Sequence, residues 1–232
     1  MTSGPARLEV LQGLIDEIPD AVYLEVGVSR GLTFRQIRSS TKIAVDPTFR
    51  FRVPMRDRLR RAMGRRGGEL YFEMPSDEFF AGHAPRAIGP KGLDVAFLDG
   101  LHEWRQTLRD VDNALEHLTP SGCIVLHDCN PQSESAAAPS LEAAQALAGY
   151  TGTWNGDIYK VIVHLRVTRP DLEVFVIDED QGLGVIRSGE RTPLQFSAAA
   201  DDIASLGYAE FAARREELLD LRPLGSWPAA GH

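Results

Sequence analysis

Cysteine and long apolar runs are scarce in this 232-residue sequence, and each scarcity excludes a class of protein or site. The two cysteines, Cys123 and Cys129, lie in one apolar stretch at a spacing that fits neither a disulfide framework nor a CxxC metal pattern, so we expect buried, reduced thiols. No run reaches the ~18 consecutive apolar residues that a membrane span needs, and residues 1–7 lack the layout of a signal peptide. We therefore expect a cytoplasmic protein without a membrane span.

The charge balance is acidic, with a formal net charge of -8. This disfavours a general affinity for nucleic acid, because neutralising phosphates requires clustered basic side chains. One basic island interrupts the acidic chain, and it indicates either a solvated loop and helix or a lid over an anionic or sugar substrate. The island holds eight arginines: Arg50, Arg52, Arg56, Arg58, Arg60, Arg61, Arg65 and Arg66.

The length favours one domain, since roughly 100 to 200 residues form one hydrophobic core. We expect a single domain over 1–232, with a core of about 20–190. Residues 50–66 then form a possible lid, and 194–232 form a C-terminal helical extension.

Short apolar runs alternate with helical patterns, which predicts a doubly wound α/β fold around a mostly parallel sheet. Strands are expected at Ala21–Val26, Lys42–Val45, Leu70–Phe72, Leu93–Leu98, Ile124–Leu126, Val174–Ile177 and Leu183–Ile186. Helices are expected at 7–18, Thr33–Ser39, Trp104–Leu118, Leu141–Leu147 and 197–221.

The last two apolar runs are separated only by Asp178–Gly182, which is too short for a crossover helix. They should therefore form an antiparallel hairpin at one edge of a seven-stranded sheet. An antiparallel last strand resembles the class I methyltransferases, whereas dinucleotide-binding domains keep an all-parallel sheet.

The turn after the first strand contains Glu25, Gly27, Ser29, Gly31 and Thr33. It lacks the GxGxxG spacing of a dinucleotide fingerprint, which disfavours a nicotinamide cofactor. An E/DxGxxxG turn resembles the first motif of class I methyltransferases, so these five residues are predicted to contact S-adenosylmethionine (SAM). The glycines would let the backbone approach the cofactor, and the acid would receive its ammonium group directly or through water. A plain glycine turn after a buried strand is the alternative.

Two further polar positions follow later strands. Asp46 ends the second strand, where a carboxylate can accept both ribose hydroxyls. Ser76 and Asp77 follow the third strand, where a polar side chain can bind the adenine amino group. The structural alternatives are a turn begun by Asp46 and a helix N-terminus at Asp77.

Carboxylates and imidazoles follow the fourth and fifth strands. Asp99 and His102 come after the fourth, and His127 and Asp128 end the fifth. Ligands of open α/β sheets bind at this edge, and neighbouring strands lie about 4.8 Å apart, so Asp99 and Asp128 can converge on one cation such as Mg²⁺. Strand-end caps are the alternative role.

Four motifs carry a family resemblance: DGLHxW, LxPxGxIxLHDCNP, TWNGDxYK and DxxxGLGVI. Over roughly residues 20–187 they resemble the bacterial sugar and secondary-metabolite O-methyltransferases of the Methyltransferase-24 type, many of which depend on Mg²⁺. The resemblance implies a metal held by Asp99, His127 and Asp128. His127 departs from the carboxylate of several relatives, and an imidazole favours Mn²⁺ or Zn²⁺ over Mg²⁺.

The same resemblance suggests His102 as the general base, with Asp99 and Asp128 completing the catalytic set. Histidine suits that task because its unperturbed pKa is near neutrality, while a sugar hydroxyl ionises only in strong base. A local hydrogen-bonding role at a helix start is the alternative.

Trp154, Asp157, Tyr159 and Lys160 precede or begin an apolar helical stretch. Aromatic, amide and acidic groups so placed, with Asn155 supplying the amide, could bind a sugar ring, and helix capping with core packing is the alternative.

Together these features predict a SAM-dependent O-methyltransferase that acts on a hydroxyl of a sugar, polysaccharide, glycolipid or secondary metabolite. A homodimer or higher homo-oligomer is expected. An NAD-dependent oxidoreductase and a non-catalytic SAM-binding protein are the alternatives. Methylation of nucleic acid or protein ranks lower, because His127–Asn130 stands where an NPPY-like amine-binding motif would follow the fifth strand.

Overall fold

A computed structural model describes residues 6–55, 67–196 and 200–226. Its helices are α1 (Ala6–Asp16), α2 (Ser76–Gly82), α3 (Ala84–Ile88), α4 (Trp104–Leu115), α5 (Leu141–Ala146), α6 (Tyr159–Thr168), α7 (Ala200–Ser205), α8 (Tyr208–Ala213) and α9 (Arg215–Leu219). Its strands are β1 (Val22–Val26), β2 (Thr41–Asp46), β3 (Gly68–Glu73), β4 (Leu93–Leu98), β5 (Leu118–Leu126), β6 (Leu172–Ile177), β7 (Leu183–Ser188) and β8 (Leu221–Arg222). These elements make a mixed α/β fold, as predicted.

The chain groups into two compact units. Over the described residues, the first comprises 6–55, 67–100 and 110–125, and the second comprises 101–109, 126–196 and 200–226. The expectation of one domain over 1–232 stays a prediction.

The first unit is built on strands in the order β3-β2-β1-β4-β5. The β3–β2, β2–β1 and β1–β4 pairs are parallel. Every residue of β1 and β4 is buried, as expected for parallel strands covered on both faces. The carboxyl ends of β1, β2 and β4 therefore carry the turns in which cofactor residues were predicted.

The second unit contains the predicted antiparallel hairpin, in which Leu172 of β6 pairs with Ser188 of β7 and Ile177 pairs with Leu183. The short strand β8 adds a parallel partner to β6, an eighth strand that the sequence analysis missed. Two residues of strand are too few to produce a periodic pattern in the sequence. The class I methyltransferase arrangement, parallel strands followed by an antiparallel hairpin, is confirmed.

The prediction of a helix at Thr33–Ser39 is wrong, because residues 32–36 form turns. A helix would need the Arg38 amide to donate to the Phe34 carbonyl. Instead the Arg38 amide donates to Gln12 Oε1 at 2.8 Å, and the buried Lys42 ammonium donates to the Phe34 carbonyl at 2.8 Å. Side chains from elsewhere thus take both partners of the missing helical bond.

The continuous C-terminal helix predicted for 197–221 is also wrong, since α7, α8 and α9 replace it over the described residues. Side chains of α6 explain the first break. The Tyr159 hydroxyl donates to the Leu206 carbonyl at 2.9 Å, and the Lys160 ammonium donates to the Ala204 carbonyl at 2.9 Å, so these carbonyls are satisfied where α7 ends.

Other boundaries moved less. The helix predicted to reach residue 118 ends at Leu115, and Leu118 already belongs to β5. Among the described residues, no helix has the length and apolar character that crossing a bilayer requires.

Candidate active site

The turn after β1 makes a close backbone approach at Gly27. This residue has φ +87°, its amide donates to the Val45 carbonyl at 2.9 Å, and a Cβ on it would overlap the backbone carbonyl of Asp99. The Asp99 amide in turn donates to the Val26 carbonyl at 2.9 Å. Only glycine satisfies both the dihedral and the contact, so the ends of β1 and β4 are held together here.

A cavity of about 140 Å³ opens beside this turn in the first unit. A cavity of roughly 150 Å³ holds one benzene molecule, so this one can take one end of a nucleoside cofactor and not the whole of it. Its walls carry charges of both signs together with the glycine turn: Arg7, Glu25, Gly27, Val28, Ser29, Arg30, Leu32, Thr33 and Asp99.

Glu25 forms a buried end of that cavity, with 2% of its surface exposed. The Tyr23 hydroxyl donates to Glu25 Oε2 at 2.5 Å. Burial raises the pKa of Glu25 to about 8; the Tyr23 hydrogen bond works against the shift and the Asp99 charge adds to it. The carboxyl is therefore largely neutral at pH 7, and a cationic ligand group beside it would favour its ionised form.

Asp46 organises the neighbouring loops. Its Oδ2 accepts the Ser29 amide at 2.8 Å and its Oδ1 accepts the Thr48 amide at 2.7 Å. The first bond holds Ser29 in the left-handed region at φ +46°, which few residues other than glycine adopt. The turn-forming alternative is thus realised, and each oxygen still has a lone pair for a ribose hydroxyl.

The remaining predicted cofactor residues lie in different surroundings. Gly31 lies against the Phe51 ring, because a Cβ on Gly31 would be 3.1 Å from a ring carbon of Phe51. Thr33 lies in the cavity wall. Ser76 and Asp77 begin α2, the first buried and the second exposed, which fits the helix N-terminus alternative. Of the basic island, Arg56 to Arg66 lie outside the described residues.

In the second unit, His102 lies against two hydrogen-bond acceptors. Its Nδ1 is 3.4 Å from Asp128 Oδ2 and 3.3 Å from the Trp154 carbonyl oxygen. A carbonyl only accepts hydrogen bonds, so these contacts are favourable when the proton is on Nδ1. In that tautomer the lone pair is on Nε2, which can act as a base.

The loop from Trp154 to Asp157 fixes His102 in place. The Trp154 ring stacks on the imidazole with 5.2 Å between centroids. Gly156 has φ +72°, and a Cβ on it would overlap the His102 carbonyl. Asp157 Oδ1 accepts the Trp104 amide at 2.8 Å, which satisfies a free amide at the start of α4. Ring, backbone and helix start are thus all held by this loop.

Asp128 is positioned at some conformational cost, since its φ is +63°. Its Oδ1 accepts Asn155 Nδ2 at 2.6 Å, and its Oδ2 lies 3.0 Å from His127 Nδ1. His127 Nε2 lies 3.6 Å from Asp180 Oδ1. His127 thus stands between two carboxylates, an arrangement that can anchor Asp128 whether or not His127 also ligates a metal.

The β6–β7 turn contacts the residues that directly follow Asp128. The Cys129 amide donates to the Gly182 carbonyl at 3.0 Å, and the Asn130 amide donates to the Gln181 carbonyl at 2.9 Å. A Cβ on Gly182 would overlap Asn130, so the DxxxGLGVI motif matches a turn pressed against the residues that follow β5.

The predicted substrate residues divide into two groups. Trp154 stays partly exposed beside His102. Asp157 binds the start of α4, whereas Tyr159 and Lys160 bind carbonyls at the end of α7 and just after it. Lys160 Nζ also lies 3.4 Å from Asp157 Oδ2. These contacts agree with the capping and packing alternative.

The sequence analysis missed two residues that the structure places at these sites, Asp180 and Arg7. It assigned the Asn155 amide to sugar binding, whereas the structure shows that amide donating to Asp128. Arg7 lies in an ordinary amphipathic helix, and no sequence signal marks it.

Comparison with known proteins finds a family that part of this chain resembles. Residues 24–129 match the Methyltransferase-24 family, described as a methyltransferase domain. This confirms the predicted resemblance to methyltransferases over those residues. None of the curated proteins compared with the chain matches it.

Solved structures show the same fold. A SAH-bound methyltransferase from Podospora anserina has a TM-score of 0.53 and 14% identity, over 82% of this chain and 80% of that one (SAH is S-adenosylhomocysteine). An O-methyltransferase from Bacillus cereus in complex with SAH has a TM-score of 0.51 and 11% identity, over 81% and 82%. At these identities the likeness confirms the fold.

The Glu25 pKa predicts a pH-dependent stability. A folded-state pKa near 8 exceeds the unfolded value of 4.5, so this group's contribution is fully present below pH 4.5 and is lost as the pH rises to about 8. At about 1.4 kcal/mol per pKa unit, Glu25→Gln should gain a few kcal/mol relative to wild type between pH 5 and pH 9. Glutamine can still accept the Tyr23 hydrogen bond.

Urea unfolding at several pH values measures this difference, and Glu78→Gln, an exposed acid on α2, is the control. Parallel pH profiles for wild type and Glu25→Gln would show that Glu25 is not the group responsible.

The hydrogen bond from Asn155 to Asp128 predicts that replacing Asn155 lowers the stability of the fold. Asn155→Leu keeps the approximate volume but removes the donor to the buried Asp128 Oδ1, which should cost about 1–3 kcal/mol or more of unfolding free energy. Chemical denaturation measures the change, and Gln132→Leu, at an exposed residue whose side-chain amide donates to the Asn130 carbonyl, is the comparison. An Asn155→Leu protein as stable as wild type would mean that the Asp128 contact contributes little.

Proposed function

We propose that this SAM-dependent O-methyltransferase methylates a hydroxyl of a sugar, polysaccharide, glycolipid or secondary metabolite, with a divalent cation assisting. The observation that carries the proposal is the arrangement of His102, whose Nδ1 faces Asp128 and the Trp154 carbonyl. A base oriented in this way is what transfer to a weakly acidic hydroxyl requires, whereas a nucleophile that is already deprotonated has no such need.

The cofactor fits the first unit on three grounds. The Gly27 turn brings backbone close to a cavity, the cavity takes one end of a nucleoside ligand, and Glu25 lies at its buried end. We assign the ammonium of SAM to Glu25, and the ribose to Asp46. The cofactor set is completed by Gly27, Ser29, Gly31, Thr33, Ser76, Asp77 and Asp99.

The reaction needs little from the protein beyond position and proton transfer. In an SN2 displacement the substrate oxygen attacks the methyl carbon of the sulfonium in line, and the C–S bond breaks as the C–O bond forms. His102 Nε2 takes the hydroxyl proton as the oxygen attacks. Asp128 then stabilises the resulting imidazolium through Nδ1, 3.4 Å away.

Asp99, Asp128 and His127 are the proposed cation ligands. A divalent cation bound there would lower the pKa of a coordinated substrate hydroxyl. Carboxylate oxygens suit Mg²⁺, but the third proposed ligand, His127, is an imidazole with its Nδ1 3.0 Å from Asp128 Oδ2, and nitrogen donors favour Mn²⁺ or Zn²⁺. The proposed ligands thus fit a divalent cation. Mn²⁺ is favoured because it accepts both carboxylate oxygens and an imidazole nitrogen.

The acceptor class is inferred from Trp154. Its partly exposed ring lies against His102, so an acceptor that packs on the indole face presents its hydroxyl near the imidazole. Sugar rings and other saturated rings of secondary metabolites have apolar faces that suit such a contact. The glycine spacing and the family match disfavour a nicotinamide oxidoreductase, and a homo-oligomer stays a prediction.

A methyl-transfer screen over sugars, glycans and hydroxylated secondary metabolites tests the proposal. Wild-type protein should convert SAM to SAH with at least one hydroxyl acceptor, EDTA should abolish the activity, and Mn²⁺ or Mg²⁺ should restore it. His102→Ala should lower kcat by about 10²–10⁴ without weakening SAM binding, since a general base contributes that much. Glu103→Gln, an exposed neighbour, should match wild type.

The outcomes separate the parts of the proposal. Activity that survives EDTA removes the cation, and full activity in His102→Ala removes the base. A protein that binds SAM but methylates none of the acceptors in any form would favour the non-catalytic alternative.

A further inference from the structure

The N-terminal helix α1 brings a guanidinium to the cofactor cavity. Arg7 lies in the cavity wall, with Nη1 3.8 Å from Asp99 Oδ2 and both side chains about one-fifth exposed. Residue 7 precedes the family match, which begins at residue 24. Arg7 is therefore a feature of this chain that the family comparison leaves out.

Packing holds α1 firmly enough to position this residue. Its apolar face is buried through Val10, Leu11, Leu14 and Ile15. Gln12 adds a two-way clamp, because its Oε1 accepts the Arg38 amide at 2.8 Å and its Nε2 donates to the Arg38 carbonyl at 3.1 Å. Arg7 thus belongs to a helix that is packed against the rest of the first unit.

The charges around the cavity match a zwitterion. Glu25 and Asp99 supply carboxylates, and Arg7 supplies a partly buried cation on the same cavity. The amino-acid end of SAM carries one ammonium and one carboxylate, and a cavity of about 140 Å³ is of the size of that end. The ammonium is matched by Glu25, which leaves the ligand carboxylate in need of a cation or N–H donors.

Three amides of the glycine turn already donate to acceptors of the protein. The Ser29 amide donates to Asp46, the Gly27 amide donates to Val45, and the Gly31 amide donates to Val28 at 2.7 Å. Arg30 also lines the cavity, but it is exposed, so water weakens any charge pairing there. A guanidinium presents five N–H donors in a planar fork and can serve Asp99 and a second carboxylate together.

We infer that Arg7 binds the carboxylate of the methionine moiety of SAM, opposite the ammonium that Glu25 receives. This inference rests on the proposed assignment of the cavity to the cofactor. Arg7 then fixes the amino-acid end from α1, while the glycine turn fixes the backbone side of the same ligand.

A second role for Arg7 competes with this one. The guanidinium could act only through Asp99, by balancing its charge, and never touch the cofactor. The two roles differ in what they distinguish: a carboxylate receptor discriminates between ligands with and without that carboxylate, whereas a charge-balancing residue does not.

Binding calorimetry with SAM and with decarboxylated SAM separates the two roles without any need for an acceptor. Wild type should bind SAM about 10- to 100-fold more tightly than decarboxylated SAM, the range expected for a charge-assisted contact. Arg7→Ala should bind both ligands with affinities within about twofold of each other. Arg7→Lys should restore part of the preference, and Arg86→Ala, an exposed arginine on α3, should leave it unchanged.

Three results would count against the inference or its premise. Equal losses for both ligands in Arg7→Ala would assign Arg7 to Asp99 alone, and an unchanged preference would remove Arg7 from the site; in both cases the proposed function stands. Wild-type protein that binds neither SAM nor SAH would instead remove the cofactor assignment itself. Should Arg7→Ala fail to fold, as judged by circular dichroism, Arg7→Lys and Arg7→Gln carry the same comparison.

Discussion

The contact between Gly156 and the His102 carbonyl is the constraint on which the second unit's chemistry depends. No side chain larger than hydrogen fits there, so the loop from Trp154 to Asp157 must lie directly against the turn that carries the base. That single approach lets the Trp154 carbonyl meet Nδ1 and lets Asp157 bind the start of α4. Orientation of the imidazole is thus a consequence of backbone packing, and the charged partner Asp128 acts on a ring that is already held.

In the first unit, too, a glycine permits a close backbone contact beside the candidate site. Gly27 lets the ends of β1 and β4 touch, and the cavity opens beside that contact. Glu25 is buried at the end of β1 and is largely neutral near pH 7 because its pKa is about 8, so the unliganded cavity avoids holding a bare buried charge. A cationic ligand group would reverse that balance, which couples the ionisation of Glu25 to what the cavity holds.

Several residues that were predicted to bind ligands have structural roles, which the sequence alone could not distinguish from functional ones. Asp46 accepts two loop amides, Asp157 caps a helix, and Tyr159 and Lys160 satisfy carbonyls where α7 ends. Polar residues near a site serve such purposes because every buried amide and carbonyl needs a partner. Asn155 also has a supporting role, because its side-chain amide donates to Asp128.

The sequence by itself determined the α/β class and the antiparallel hairpin, because alternating apolar runs and a short connection are local properties of the chain. Its motifs, which are also local, carried the resemblance to methyltransferases. It failed at the turns of residues 32–36 and at the broken C-terminal helix, where side chains distant in sequence take the backbone hydrogen bonds. Only the tertiary structure decided which nitrogen of His102 faces an acceptor, that Asn155 supports Asp128 and that Arg7 reaches the cavity. These facts depend on contacts between residues far apart in the chain, which no local pattern encodes.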